Sequence, residues 1–262
     1  MRLFLKLKSL KNCVYDLKYF NKLQGFIYNC LKDTEYSILH DKKGYKFFCF
    51  SNIFPIGNIK LGETRNLIIS SPDKFFIKVL ENKIKKLSEK CETINIGEYQ
   101  FTIEEISKIK IKLNKNCKLI SATPIIVKIP EKNYEKYKIP EEFRKKRYVY
   151  WRPEYSFEAF VDQLEKNLIK KYNEFYKTKF EIEGIFEIFR FIKSTVNHVI
   201  IEGEEQKVVG SIWEFDFSYL NPKQKKILEF GIDCGFGEKN SLGFGFINVI
   251  KNERGKEMDR KG

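Results

Sequence analysis

The chain has 262 residues, 42% of them hydrophobic, and carries 49 Lys+Arg against 35 Asp+Glu for a formal charge of +14. That length and apolar content suit one large domain or two small ones, and the positive charge makes a phosphate polyanion the expected large partner. No apolar run approaches the roughly 20 residues that span a bilayer, and six scattered cysteines without a C-x-x-C pair, beside only two histidines, point away from a metal centre and toward a reduced, cytoplasmic protein.

In chain order, Arg2 to Leu10 alternates as a strand. Leu17, Phe20, Leu23, Ile27, Cys30 and Leu31 recur at helical spacing and predict a helix over 17–31. Short strands follow at Lys46 to Ser51 and Asn66 to Ser70. Ser71 as N-cap and Pro72 at the first helical position open a second helix reaching about Ser88. Thr93 to Ile96 and Lys108 to Leu113 read as further strands.

The second half repeats the order. Thr123 to Ile129 is a strand, and 131–147 is a charged loop or short helix. Ser156 to Lys177 is an amphipathic helix, followed by strands at Phe180 to Lys193, Val196 to Ile201 and Val208 to Phe217. Asn221 and Pro222 start the last helix by the same capping logic. Phe244 to Ile250 forms the final strand. Two successive βαββαβ units predict an α+β protein of tandem ferredoxin-like (RRM-like) domains, 1–118 and 119–250, with a polar tail over 251–262.

The stretch Gly235-Phe236-Gly237-Glu238-Lys239-Asn240-Ser241-Leu242-Gly243-Phe244-Gly245 is the most specific segment. Glycines permit φ > 0 and close backbone approach, successive N–H groups make an anion nest, and Lys239 adds charge. The expected RNA-binding residues are Gly235, Gly237, Lys239, Asn240, Ser241, Gly243 and Gly245. The basic runs Arg144 to Arg147 and Lys223 to Lys226 are weaker candidates for tracking phosphates.

His40, in a charged loop between the first helix and the second strand, has the side chain suited to both taking and giving a proton near neutrality. RNA scission without a metal needs a base for the 2′-OH, an acid for the departing 5′ oxygen and a cation beside the phosphoryl group. Lys46 lies six residues beyond His40, and Tyr28 on the first helix is a third donor or acceptor. His198 lies on an apparent strand and reads as structural.

Four segments carry a family resemblance: Leu39-His40-Asp41 with the aromatic run to Ser51, Ser121-Ala122-Thr123-Pro124-Ile125, Gly210 to Phe217, and Gly235 to Gly245. On these the chain resembles the CRISPR-associated repeat-RNA endoribonucleases, the Cas six family of the repeat-associated mysterious protein superfamily. The resemblance implies metal-independent, cofactor-free cleavage of CRISPR repeat transcripts, leaving 2′,3′-cyclic phosphate and 5′-hydroxyl ends. It also implies a catalytic His40 completed by Tyr28 and Lys46, with Tyr36 competing for the tyrosine role. Repeat RNA is the implied partner, with other effector subunits or a second copy of the chain as further ones. The rival readings are a non-catalytic RNA-binding subunit of an effector complex and an unrelated RRM-like RNA-binding protein.

Overall fold

Leu3, Leu5 and Leu7 alternate along the first strand and are fully buried, which makes that strand the centre of a sheet. The computed structural model describes residues 1–16, 19–144, 146–201 and 203–250. In its first half, β1 (Arg2–Ser9) leads to α1 (Tyr19–Leu31), β2 (Cys49–Phe50), β3 (Thr64–Ser70), α2 (Lys74–Glu89), β4 (Ile94–Ile96) and β5 (Tyr99–Ile109). The sheet runs β2-β3-β1-β5-β4, and each adjacent pair is antiparallel. Leu23 and Ile27 of α1 and Leu80 and Ile84 of α2 bury against Leu5 and Leu7 in one cluster.

The second half comprises β6 (Cys117–Ser121), β7 (Lys128–Pro130), β8 (Tyr148–Tyr150), α3 (Phe157–Tyr176), β9 (Ile188–Ile201), β10 (Glu204–Phe217), α4 (Pro222–Cys234) and β11 (Ile247–Ile250). Its sheet runs β11-β6-β10-β9, while β7 and β8 pair separately. Setting aside β7, β8 and the short edge strand β4, both halves share the ferredoxin-like order of strands and helices. Trp213 anchors the second core, stacking on Phe160 of α3 at 4.0 Å between ring centroids. We propose that the domains divide near residue 118, where one buried cluster gives way to the other; Leu113 and Cys117 already pack in the second. The expected tail, 251–262, lies outside the described residues.

Several elements differ from expectation for local reasons. The N-cap of α2 is Asp73, whose carboxylate accepts from the backbone N–H of Phe75 and Phe76, because the Ser71 hydroxyl instead donates to the Phe47 carbonyl. The strand expected at 108–113 lies earlier, as β5 over Tyr99–Ile109, since Gly97, at φ +62, turns β4 directly into β5; 110–113 is not strand. Thr123 to Ile129 is not one strand: β6 ends at Ser121, Ile125 and Ile126 make isolated bridges to Ser211 and Glu238, and only 128–130 continues as β7. Strands expected at 180–193 and 196–201 merge into the single β9, which starts only at Ile188. Asn221 does cap α4 through a full capping box with Gln224.

Candidate active site at the seam between the domains

Tyr28 stands at the edge of the buried stripe of α1 and is half-exposed. After that helix a short 3-10 turn, Ser37–Leu39, is pinned by the buried Leu39 and presents His40 to solvent at its end. The Tyr28 and His40 rings meet edge to face, 5.2 Å between centroids. His40 Nδ1 pairs with Asp41 Oδ1 at 2.6 Å. With Nδ1 engaged by a carboxylate, Nε2 is the nitrogen left to face a substrate.

Lys46 closes the group. Its ammonium donates to the Tyr28 hydroxyl and to the His40 carbonyl, each at 2.9 Å. The next residue, Phe47, has φ +51, a conformation costly for a bulky side chain, and its ring packs edge to face on Phe175 of α3. That kink cuts the expected strand of 46–51 down to β2 and turns Lys46 toward Tyr28. Burial lowers the Lys46 pKa, with Asp41 opposing and Lys42 adding to the effect. Burial also pushes the Tyr28 hydroxyl up to about 12, against hydrogen bonds with Ser241 and Gln24. Tyr36 points elsewhere: its hydroxyl donates to Asp73 at 2.6 Å and its ring packs edge to face on Phe76.

The glycine loop reaches this group from the other domain. Gln24 of α1 donates to the Ser241 carbonyl at 2.8 Å, and Phe20 stacks on Phe244. Gly235, Gly237, Gly243 and Gly245 all have positive φ and are buried, and their missing Cβ positions face protein. A Cβ on Gly245 would overlap the Phe236 carbonyl, and one on Gly243 would overlap the Phe50 ring. Their glycine character thus follows from loop packing. Residues 238–242 form its half-exposed crest.

Asn240 clamps the loop by donating from Nδ2 to the Phe236 and Phe244 carbonyls. Its Oδ1 accepts from Lys171 at 3.0 Å, and the same buried ammonium donates to the Gly235 and Gly237 carbonyls at 2.5 and 3.0 Å. Sequence reading missed Lys171; the available signal was a lysine on the apolar stripe of α3, three residues after Leu168 and beside Tyr172. Lys239 takes φ +58, and burial, with Lys128 adding to it and Glu238 opposing, lowers its pKa to about 8.

The secondary candidates scatter. Arg144 is occupied by the Ile139 carbonyl and Glu135, Lys145 lies outside the described residues, and Lys146 and Arg147 are exposed. Lys226 lies over the Tyr172 ring, in a cavity separate from that of Lys46. His198 is exposed on β9 and pairs with Glu205. Among the described residues no group of three or more His, Cys, Asp and Glu side chains is placed to hold a metal ion, and no helix is long and apolar enough to cross a membrane.

A basic protein of two ferredoxin-like domains, with His, Tyr and Lys side chains gathered beside a glycine loop, belongs to the RNA-handling class of that fold. A family profile described as CRISPR associated protein Cas6, C-terminal, matches residues 110–249. The chain is 35% identical over 260 residues to CRISPR-associated endoribonuclease Cas6 2 of Methanocaldococcus jannaschii, covering 96% of this chain and all of that one. A solved structure from Pyrococcus furiosus, described as the product of a Cas6-related gene, superposes with a TM-score of 0.68 at 26% identity, covering 97% of this chain and 99% of that one. Another, described as an RAMP protein binding different RNA substrates, shares the fold at a TM-score of 0.69 and 23% identity, covering 96% of this chain and all of that one. The chain belongs to the Cas6 family of CRISPR-associated endoribonucleases.

Proposed function

We propose that this chain cleaves CRISPR repeat transcripts into guide RNAs by metal-independent transesterification, with His40, Tyr28 and Lys46 as the catalytic residues. The observation that carries the reading is the Lys46 ammonium, held between the Tyr28 hydroxyl and the His40 backbone within reach of a half-exposed loop crest. His40 Nε2 takes the 2′-OH proton, with Asp41 holding the ring's other N–H. The 2′ oxygen bonds to phosphorus and the P–O5′ bond breaks, leaving a 2′,3′-cyclic phosphate. Lys46 stabilises charge on the phosphoryl oxygens, and the Lys46–Tyr28 pair returns a proton to the 5′ oxygen. Tyr28 stays protonated throughout the physiological range because its pKa is near 12, so it serves as a donor.

The loop crest, with Lys239 and the backbone of Asn240 and Ser241, grips the RNA backbone on this reading, and the four glycines let the crest sit where it does. Cytoplasmic residence, and association with effector subunits or a second copy, belong to the same proposal. The test is a repeat transcript incubated with the protein in excess chelator. A single cut giving cyclic-phosphate and 5′-hydroxyl ends, blocked by 2′-deoxy substitution at the scissile nucleotide, supports the reading. Tight binding without scission favours the rival role of an RNA-holding subunit.

A further inference from the structure

Three cavities of about 330, 490 and 940 Å³ follow one another along the surface. The smallest holds Lys46 and Lys239 and shares Tyr45, Lys170 and Glu238 with the next. That one in turn shares Arg147 and Tyr148 with the largest, which lies between the segment around β8 and the β9–β10 hairpin. The walls of the first two pair a cation with an aromatic ring. Lys170 Nζ lies 5.8 Å from the Tyr45 ring, and Lys128 Nζ lies 4.1 Å from that of Tyr148. Tyr150 meets Tyr148 edge to face at 5.5 Å, and both rings are half-exposed.

Residues 128–150, which carry β7 and β8, are an insertion in the ferredoxin-like order: they pair only with each other and add no strand to the main sheet. Lys128 and Tyr148 are half-exposed and neither belongs to the buried cluster of the second core. Lys128 and Lys239 repel each other across the joint between the first two cavities, a field that an anion would relieve. Facing them are the carboxylates Glu238, which Asn167 Nδ2 binds at 2.8 Å, and Glu174.

We propose that the three cavities form one track for a single-stranded RNA segment of the substrate flanking the scissile phosphate, with phosphates on Lys128, Lys170 and Arg147 and bases stacked on Tyr45, Tyr148 and Tyr150. Alternating cations and accessible rings suit unpaired bases, because a duplex hides the base faces that stack on such rings. The track would give the enzyme grip on a strand well beyond the reacting phosphate, and it rests on the nuclease reading only for which RNA enters it.

The test measures binding of an uncleavable repeat RNA, 2′-deoxy at the scissile nucleotide, to wild type, Tyr148→Ala, Tyr148→Phe, Tyr150→Ala and Arg147→Ala. Each tyrosine-to-alanine change is expected to weaken binding about tenfold, and Tyr148→Phe to bind like wild type because stacking survives. Arg147→Ala is expected to lower the slope of log affinity against log salt by about 1. On RNA trimmed to the two nucleotides of the scissile bond, the variants should equal wild type. Wild-type affinity from all the variants, equal loss in Tyr148→Phe, equal loss on the trimmed RNA, or equal competition by the base-paired form of the same strand would each overturn the track. Because this RNA cannot be cut, failure of the nuclease reading shows separately, as absence of scission by wild type on the all-ribose RNA.

Discussion

The Lys46 ammonium donates to the Tyr28 hydroxyl at 2.9 Å, joining two residues 18 positions apart into one polar unit beneath the His40 ring. Neither side chain is free to act alone. Tyr28 holds the ammonium in place, and the ammonium fixes which way the phenol points.

Removing that cation should hurt chemistry more than binding. Lys46→Ala is expected to lower the single-turnover cleavage rate by about 10²–10³ with repeat-RNA affinity nearly unchanged. Lys46→Arg should restore part of the rate if charge rather than proton donation dominates. Single-turnover kinetics with saturating protein separates these outcomes.

Asp41 is a smaller lever. It and His40 are both largely exposed, and exposed ion pairs contribute only about 0.2–1 kcal/mol. Asp41→Asn should therefore slow cleavage less than about fivefold, far less than loss of His40. Single-turnover rates of Asp41→Asn and His40→Ala on the same repeat RNA check that ordering.

Lys171 is a structural post. Lys171→Met leaves the Gly235 and Gly237 carbonyls and Asn240 Oδ1 without their shared donor. Unpaired buried acceptors cost about 1–3 kcal/mol each, so the loss of stability should reach several kcal/mol, read by denaturant unfolding. RNA affinity should fall with it, because the crest carrying Lys239 loses its support.

Lys239 gives the account a pH signature. Its pKa is lowered to about 8 by burial, with Lys128 adding and Glu238 opposing. The folded chain then binds fewer protons than the unfolded chain between about pH 8 and the ordinary lysine value of 10.5. Stability should accordingly rise with pH across that window, and the burial penalty should stand in full below it. RNA affinity should move the opposite way, falling as pH climbs through about 8, where an ordinary lysine would keep its charge. Lys239→Arg should bind RNA without that decline, as binding titrations at constant ionic strength from pH 7 to 9.5 would show.

Much of this was legible in the chain because it depends on local pattern. Leucine alternation marks β1, the Asn221–Pro222 signal marks α4, and the short spacing of His40 and Lys46 allows them to meet. What stayed hidden depends on tertiary context. Ser71 looked like a cap until the Phe47 carbonyl took its hydroxyl, and the kink at Phe47 has no signature in a run of aromatics. The glycines were readable as required, but their partners come from three stretches of the fold: Phe50 on β2, the Ile126 carbonyl, and Phe236 and Asn240 of the loop itself. Lys171 was visible only as an anomaly on an apolar stripe.

The most direct test compares wild type and His40→Ala on a labelled repeat RNA in EDTA, with cleavage and binding measured on the same preparations. Wild type should cut at one site, and the variant should lose about 10²–10⁴ in rate at unchanged affinity. Equal cutting by both proteins would contradict the placement of the chemistry at His40, and binding without cutting by either would contradict the nuclease itself.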